Sequence, residues 1–234
     1  MKAFILAGGF GMRMKGVVGD APKVMLPVAG KPLLQHLVEL CRTHGISDIM
    51  LSLHYRREVI RQYFGDGSSL GVNISYVEEK TPRGSGGALD EARGFLTDTF
   101  VMLNGDVMNQ VNLRKLLDFH RQKGGIGTLV VHRSSHPFDS DMIETDKNQK
   151  VVRIFRPKPG EKFVNLGNAG LFVFEPGILS YVDALKDQSM EKDVIPRALQ
   201  AQEPLYAYET DEYMKDIGTP ERYEEVQRMF KSAQ

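Results

Sequence analysis

Short apolar runs alternate with amphipathic segments through the first half of the chain. From Leu33 onward, apolar residues fall at 33, 34, 37, 38, 40 and 41, which is helical spacing, and Pro32 suits the first turn of that helix. Strands that alternate with helices predict an α/β fold with a mostly parallel sheet and helices on both faces. The predicted strands are Phe4–Ala7, Asp48–Leu53, Asn73–Val77, Phe100–Leu103 and Ile126–His132, and the predicted helices are the one from Leu33, Arg56–Phe64, Ala88–Phe95 and Leu113–Lys123.

The pattern changes in the second half of the chain. Met142–Thr145 and Val151–Phe155 flank a polar stretch at 146–149, which predicts a hairpin. Leu171–Phe174 is an apolar strand, and Lys192–Gln200 and Pro220–Lys231 have helical patterns. The sequence contains no internal repeat, low-complexity segment or linker, so we expect one domain over residues 1–234.

Composition and charge narrow the class of protein. The 234 residues include 41% hydrophobic and 26% charged residues, which are globular proportions. Lys+Arg and Asp+Glu both number 30, so the net charge of +0 argues against a nucleic-acid or anionic-membrane partner. The single cysteine, Cys41, excludes an internal disulfide and fits a reducing compartment. Because no stretch approaches the ~18 apolar residues of a membrane span, we expect a cytoplasmic protein.

A glycine loop follows the first strand directly. Glycines at 8, 9 and 11 would let backbone amides approach a phosphate or a base without a Cβ clash. Two standard phosphate loops do not fit, because Met14 replaces the third glycine of a dinucleotide fingerprint and Met25 replaces the first glycine of a Walker motif. Taken alone, the loop is either a structural turn or a ligand loop.

Cations surround this loop in the sequence. Arg13 and Lys15 follow the glycines, and Lys23 lies between Pro22 and Pro27, whose fixed φ angles stiffen the segment. Positioned cations suit a polyphosphate, which needs charge and orientation more than covalent chemistry. The alternative for Lys23 alone is an exposed surface lysine.

These motifs together resemble the sugar-1-phosphate nucleotidyltransferases. The resemblance spans nearly the whole chain, from Leu6 to Pro220, and is strongest to guanylyltransferases of D-glycero-D-manno-heptose 1-phosphate or mannose 1-phosphate. It implies a Rossmann-like nucleotide-diphospho-sugar transferase fold and the reaction of an NTP with a sugar 1-phosphate to give an NDP-sugar and pyrophosphate. The motifs that carry it are Gly8-Gly9-x-Gly11-x-Arg13, Pro22-Lys23-x-Met25-Leu26-Pro27-Val28-x-Gly30-Lys31-Pro32, Pro82-Arg83-Gly84-Ser85-Gly86-Gly87-Ala88, Asn104-Gly105-Asp106, Asn168-Ala169-Gly170 and Asp216-Ile217-Gly218-Thr219-Pro220.

Two aspartates are the candidate metal ligands. Asp106 follows the strand Phe100–Leu103, and strand ends in parallel sheets are where ligand sites form. Asp216 precedes the last helix. Two carboxylates with substrate phosphates and waters make an ordinary Mg²⁺ shell, and by resemblance both match the family's metal-binding aspartates. Without the resemblance, each is equally well a turn or cap residue.

The resemblance also assigns the remaining candidate residues. It implies Arg13, Lys23 and Lys158 as the catalytic cations, with Lys158 on the phosphate of the sugar phosphate. Met12, Arg83 and Pro157 depart from the family pattern, which commonly has Thr or Ser, Leu, and Glu at these positions. The implied nucleotide-binding residues are Leu6, Ala7, Gly8, Gly9, Gly11, Gly84 and Ser85, and the implied substrate-binding residues are Gly105, Asn168, Gly170, Glu191 and Lys192.

GTP and a manno-configured heptose or hexose 1-phosphate are the expected substrates, and a homodimer is the candidate assembly. Two alternatives stay open: a uridylyl- or thymidylyltransferase on another sugar 1-phosphate, and a non-catalytic subunit that binds an NDP-sugar. Because such a subunit would be expected to lose an aspartate or the Arg13 and Lys23 pair, and all four residues are present, the sequence favours an enzyme.

Overall fold

The computed structural model describes residues 1–9, 14, 19, 21–79 and 81–231. Within those residues the α-helices are α1 Leu33–Thr43, α2 Arg57–Phe64, α3 Gly84–Glu91, α4 Leu113–Lys123, α5 Ile195–Gln200 and α6 Pro220–Lys231. The strands are β1 Lys2–Leu6, β2 Pro27–Val28, β3 Lys31–Pro32, β4 Asp48–Leu53, β5 Asn73–Glu78, β6 Phe100–Asn104, β7 Val107–Asn109, β8 Gly127–His132, β9 Met142–Thr145, β10 Val151–Phe155, β11 Gly167–Phe174, β12 Leu205–Glu209 and β13 Met214–Asp216. Short 3₁₀ segments lie at Lys23–Met25, Ser68–Leu70, Pro137–Asp139 and Pro176–Tyr181, and Met190–Val194 is a π-helical turn.

Most predicted elements are confirmed, and one helix is misplaced. The helix predicted at Ala88–Phe95 instead spans Gly84–Glu91 and begins inside the glycine run. Glycine is a poor helix former, which is why the pattern placed the start too late. The amides of Gly86 and Gly87 both donate to the carbonyl of Gln188, at 2.9 and 3.2 Å, so a tertiary contact stabilises this first turn.

The chain divides into two compact units, each built from separate stretches. The first unit comprises Met1–Thr81, Leu103–Val111 and Tyr213–Gln234, and the second comprises Pro82–Met102 and Asn112–Glu212. Strand β6 contributes to both, since its residues through Met102 belong to the second unit and those from Leu103 to the first. The single domain expected from the sequence stays a prediction.

The first unit carries a parallel sheet and two small antiparallel ladders. β1 pairs with β4 in parallel, with Leu6 opposite Ser52, and β4 pairs with β5 in parallel. β2 pairs with β3, and β7 with β13, both antiparallel. The middle of β1 is fully buried, and the apolar side of α1 is buried as well, so both elements contribute to the core of this unit.

The second unit carries a mixed sheet. β8 runs parallel to β12 and antiparallel to β11. β11 also meets β9, and β9 and β10 form the predicted antiparallel hairpin. β11 changes register between Asn168 and Phe172, where Gly170 adopts a φ of 67°. A bulge of this kind re-aims the side chains beside it. Each helix in the described part of the chain is too short or too polar to span a bilayer.

Candidate functional site

Asp106 lies where two stretches of backbone come very close. The amide of Gly105 donates to the carbonyl of Leu6 at 2.9 Å, which brings the turn after β6 to the end of β1. A Cβ atom on Gly105 would collide with that carbonyl oxygen and press on Val24. Gly105 is therefore required by close approach, and it places Asp106 at the carboxyl end of the parallel strands, where ligand sites form.

A small ladder brings Asp216 beside Asp106, although 110 positions separate them (216 − 106). In the antiparallel pairing of β7 and β13, Asp216 lies opposite Val107, the residue after Asp106. The amide of Ile217 donates to the carbonyl of Asp106 at 2.9 Å and extends the ladder by one step. The two predicted aspartates are thus fixed together by main-chain hydrogen bonds.

Each aspartate has a cationic partner. Lys23 comes from the 3₁₀ turn after Pro22, and its Nζ contacts Asp106 Oδ2. Arg222, in the first turns of α6, donates from Nη1 to the two carboxylate oxygens of Asp216 at 2.9 and 3.1 Å. The amide of Gly218 donates to Asp216 Oδ1 at 2.8 Å. Both carboxylates keep about a third of their side-chain surface open, at 33% and 32%.

Arg222 was missed at the sequence level. Six positions separate it from Asp216, and only the turn through Gly218 into α6 folds the guanidinium back onto that carboxylate. An arginine in the first turns of a helix gives no signal of this kind by itself, because its usual role there is an exposed charge.

The two aspartates fit a hard divalent cation. Mg²⁺ is typically held by one or two carboxylates together with waters and substrate phosphates, rather than by a full protein cage. Asp106 and Asp216 supply two partly exposed carboxylates, and no group of three or more His, Cys, Asp or Glu side chains suited to a metal occurs among the described residues. The donor set therefore fits Mg²⁺ that shares its shell with a substrate.

The glycine loop is described through Gly9 only. The predicted residues Gly11 and Arg13, and the departure at Met12, lie outside the described residues. The amide of Ala7 donates to the carbonyl of Ser52 at 2.8 Å, and a Cβ on Gly8 would press on His54 at 3.1 Å. Gly9 differs, because no described atom lies within 4 Å of where its Cβ would be. Packing among the described residues does not require glycine there.

In the second unit, Ser85, Asn168 and Glu191 form one cluster. Ser85 Oγ donates to Glu191 Oε2 at 3.3 Å, and Asn168 Nδ2 donates to Oε1 at 3.4 Å. Ser85 Oγ also accepts from the amide of Met190 at 2.9 Å. Asn168 comes from the bulged part of β11, and Gly170 donates to its Oδ1 at 3.3 Å. The structure thus joins three predicted residues that the sequence separates by up to 106 positions (191 − 85).

Glu191 lies in the π-helical turn Met190–Val194, a rare geometry that is frequent at functional sites. Ser189 caps this turn by accepting from the amide of Lys192 at 3.0 Å. Burial raises the pKa of the Glu191 carboxyl, and repulsion from Asp141 raises it further. The carboxyl group of Glu191 is therefore a desolvated acceptor surrounded by donors, whereas Lys192 is exposed.

The turn before α3 is shaped by packing within the second unit. Gly84 has a φ of 70°, and a Cβ there would lie 2.6 Å from the carbonyl oxygen of Gln188. Arg83, a departure from the family pattern, donates to Asp90 at 3.1 Å and also contacts Glu91. These contacts hold the guanidinium against α3.

Among the described residues, no hydrogen bond or ion pair joins the Lys158 side chain to that cluster. Lys158 is exposed, and its backbone amide donates to Glu161 Oε2 at 3.0 Å. The neighbouring Pro157 is buried and has no polar side-chain atom to offer. A cavity of about 310 Å³ opens beside Glu191 and Lys192, and Lys158 is not among the described residues that line it.

Comparisons with known proteins find similar chains among nucleotidyltransferases. The mannose-1-phosphate guanylyltransferase of Mycobacterium tuberculosis is 37% identical over 223 residues, which cover 94% of this chain and 62% of that protein. The UTP–glucose-1-phosphate uridylyltransferase of Synechocystis is 33% identical over 234 residues, which cover 93% of this chain and 60% of that protein. The chain thus spans 60–62% of the length of these two curated relatives.

A solved structure and a family match complete the comparison. HddC from Yersinia pseudotuberculosis, complexed with GMP-PN, superposes with a TM-score of 0.82 at 27% identity, covering 98% of this chain and 99% of that one. This likeness confirms the predicted Rossmann-like nucleotide-diphospho-sugar transferase fold. The Nucleotidyl transferase family matches residues 2–232, and the chain therefore belongs to that family.

Proposed function

We propose that the chain transfers a nucleotidyl group from GTP to a manno-configured sugar 1-phosphate and releases pyrophosphate. The observation that carries this proposal is the pairing of Asp106 with Asp216, together with Lys23, at the carboxyl end of the parallel strands. Carboxylates and cations that converge beside the end of β1 provide what a metal-bound triphosphate needs.

The proposed chemistry is one in-line displacement. A phosphate oxygen of the sugar 1-phosphate attacks the α-phosphorus of the NTP, a new P–O bond forms, and the bond to the bridging oxygen of the β-phosphate breaks. Pyrophosphate leaves with that electron pair. No general base is needed, because a sugar phosphate is already ionised at neutral pH.

Residues of the first unit would act on the triphosphate. Asp106 and Asp216 would hold Mg²⁺, which when bound offsets the charge of the phosphates. Lys23 is paired with Asp106 in the structure, so binding of metal and triphosphate would release its ammonium to contact a phosphate oxygen. The resemblance gives Arg13 the same task. The residues proposed to frame the base from this unit are Leu6, Ala7, Gly8, Gly9 and Gly11.

Residues of the second unit would act mainly on the sugar phosphate. Glu191 and Asn168 offer hydrogen-bonding groups to sugar hydroxyls, with Lys192 beside them, and Lys158 would take the phosphate. Ser85, assigned to the nucleotide by resemblance, contacts Glu191. That contact supports a link between Ser85 and the sugar side as well. Gly84, Gly105 and Gly170 would contribute through their backbone geometry.

The choice of nucleotide rests on the relatives. The similar proteins include a mannose-1-phosphate guanylyltransferase and a protein complexed with GMP-PN, which favour a guanine nucleotide. The uridylyltransferase at 33% identity supports UTP with glucose 1-phosphate as the second candidate. We also propose a cytoplasmic location, supported by the buried, thiol-bearing Cys41 and its fit to a reducing compartment. The homodimer stays a prediction, which light scattering over a range of concentrations checks.

A substrate screen tests the proposal. Pyrophosphate release is measured for GTP, UTP, dTTP, CTP and ATP, each with mannose 1-phosphate, glucose 1-phosphate and a heptose 1-phosphate, in the presence of Mg²⁺. We expect GTP with a manno-configured sugar to give the highest kcat/KM. A tenfold preference for UTP or dTTP would overturn the guanylyl assignment, and no pyrophosphate from any pair would overturn the nucleotidyl transfer itself.

A further inference from the structure

A cavity in the second unit has a charged wall, formed by Asp141 and Arg156, that the proposed function does not use. It measures about 310 Å³ and lies at the small end of the range for ligand pockets, roughly 300–1,000 Å³. Such a volume suits a single sugar ring better than a nucleotide. The residues that line it are Asp141, Ile154, Phe155, Arg156, Glu191, Lys192 and Pro196.

The hairpin β9–β10 explains why Asp141 and Arg156 face each other. Its antiparallel register pairs Glu144 with Arg153 and Met142 with Phe155. One step further along the same ladder, Asp141 comes opposite Arg156, and Arg156 Nη2 donates to Asp141 Oδ1 at 3.3 Å. Because side chains alternate along a strand, this pair lies on the face of Ile154, and the pair of Glu144 with Arg153 lies on the other face.

Asp141 is also tied to the cluster around Glu191. Its carbonyl accepts from the amide of Asn168 at 2.8 Å, and Asn168 donates through its side chain to Glu191. The Asp141 carboxylate is close enough to Glu191 to repel its charged form. The cavity is therefore lined by two carboxylates and two cationic side chains, Arg156 and Lys192.

This wall suits hydroxyl groups and opposes a phosphate. Asp141 already offsets the charge of Arg156, so this pair offers no net positive charge to a phosphate dianion. A carboxylate accepts from hydroxyl groups and a guanidinium donates to them, so the pair can bind two neighbouring hydroxyls of one ring at once. The phosphate would then lie away from this wall.

We infer that Asp141 and Arg156 bind ring hydroxyls of the sugar 1-phosphate and thereby determine which sugar is used. This inference rests on the proposed function and deepens it, since it names two specificity-determining residues that neither the sequence motifs nor the resemblance assign.

Steady-state kinetics of Asp141→Asn and Arg156→Gln test the inference. The NTP that the wild type prefers is held at saturation, and mannose 1-phosphate, glucose 1-phosphate and the deoxy analogues of mannose 1-phosphate are varied in turn. Loss of a hydrogen bond to a charged group should lower kcat/KM for the preferred sugar by about tenfold to a hundredfold, mainly through KM. The KM for the NTP should not change. For the deoxy analogue that lacks the contacted hydroxyl, Asp141→Asn and wild type should have equal kcat/KM.

The matched controls are Glu144→Gln and Arg153→Gln. Glu144 and Arg153 form the same kind of ion pair on the same hairpin, at 2.5 Å, but line a different cavity. Both controls should retain wild-type kinetics, and thermal midpoints should show that all four variants fold. This inference alone is overturned if the wild type is active and Asp141→Asn and Arg156→Gln have the same kinetics as the controls. A wild type that releases no pyrophosphate with any substrate pair would overturn the proposed function, and this inference with it.

Discussion

Two aspartates and their cationic partners determine what the first unit can do. Lys23 forms an ion pair with Asp106, and Arg222 forms one with Asp216. These ion pairs reduce the repulsion between the two carboxylates. The same contacts orient the carboxylates, because Asp216 also accepts from the amide of Gly218. A site that keeps two carboxylates in fixed positions before a ligand arrives loses little by reorganisation when the ligand binds.

Replacing either aspartate should remove turnover. We expect Asp106→Asn and Asp216→Asn each to lower kcat by on the order of 10²–10³-fold or more, because one charged ligand of the proposed metal is lost. Pyrophosphate release at saturating substrates and increasing Mg²⁺ measures the effect. Asp118→Asn, on the exposed face of α4, is the matched control and should retain wild-type rates. A rate for Asp106→Asn equal to that of Asp118→Asn would contradict the metal assignment.

The Glu191 carboxyl should make stability depend on pH. Burial raises its pKa above the ordinary 4.5. The folded state therefore binds this proton more tightly than the unfolded state, and the carboxyl favours folding below its ordinary pKa. That contribution is lost as pH rises through the raised value. Relative to wild type, Glu191→Gln should consequently gain stability as pH rises from the ordinary pKa of 4.5 toward the raised value.

Urea unfolding of both proteins across this pH range gives the difference in unfolding free energy directly. Glu224→Gln, at an exposed position of α6, supplies the baseline for removing a carboxyl. If the change in unfolding free energy caused by Glu191→Gln has the same pH dependence as the change caused by Glu224→Gln, Glu191 ionises alike in the folded and unfolded chain.

At the scale of elements, the site depends on where β1 and β6 end. Gly105 allows the turn after β6 to bond to Leu6, and the ladder of β7 with β13 then carries Asp216 to the same place. Both features are made by main-chain hydrogen bonds. The positions of Asp106 and Asp216 are therefore set by main-chain hydrogen bonds. Side chains on strands are held in more precise positions than side chains on loops.

Gly105→Ala should therefore disturb both stability and activity. A Cβ at Gly105 meets backbone, which cannot rotate away, and such overpacking costs about 1–3 kcal/mol of unfolding free energy. Gly94→Ala is the matched control, because no described atom lies within 4 Å of its Cβ position. Chemical denaturation and pyrophosphate release are measured for both. Equal stability and equal turnover in the two variants would show that the approach of Gly105 to Leu6 is not required.

At the scale of the whole molecule, the chain passes between its two units four times, at 81/82, 102/103, 111/112 and 212/213. Strand β6 changes unit within its own length. Neither unit is one continuous stretch of chain. Neither can therefore complete its fold before segments of the other unit have folded. This connectivity is the physical basis for expecting one cooperative domain, even though the contacts divide into two groups.

Calorimetry tests this expectation. We expect a single thermal transition with a ratio of calorimetric to van't Hoff enthalpy near one, as a two-state domain gives. Two resolved transitions would show that the units unfold separately. A mannose 1-phosphate titration that shifts only one of those transitions would then show which unit the sugar phosphate stabilises.

Elements with clear apolar periodicity could be predicted from the amino-acid sequence. The bounds predicted for Asp48–Leu53, Leu113–Lys123, the two hairpin strands and Pro220–Lys231 agree with the structure, because apolar spacing and flanking turn residues are local signals. Motif order along the chain was also sufficient to identify the family. The early start of α3 could not be predicted, since the carbonyl of Gln188 overrides the weak propensity of the glycines.

Which charged side chains meet depends on contacts between segments that are distant in the chain. The sequence proposed Asp106 and Asp216 as one site, but the ladder that joins them consists of two three-residue strands, too short to carry a period. Arg222 and the pair of Asp141 with Arg156 were not predicted for the same reason, because each contact depends on a turn or a register that brings distant residues together. The apolar pattern of a segment indicates which of its own residues are buried. The candidate site, in contrast, depends on main-chain hydrogen bonds that align several segments.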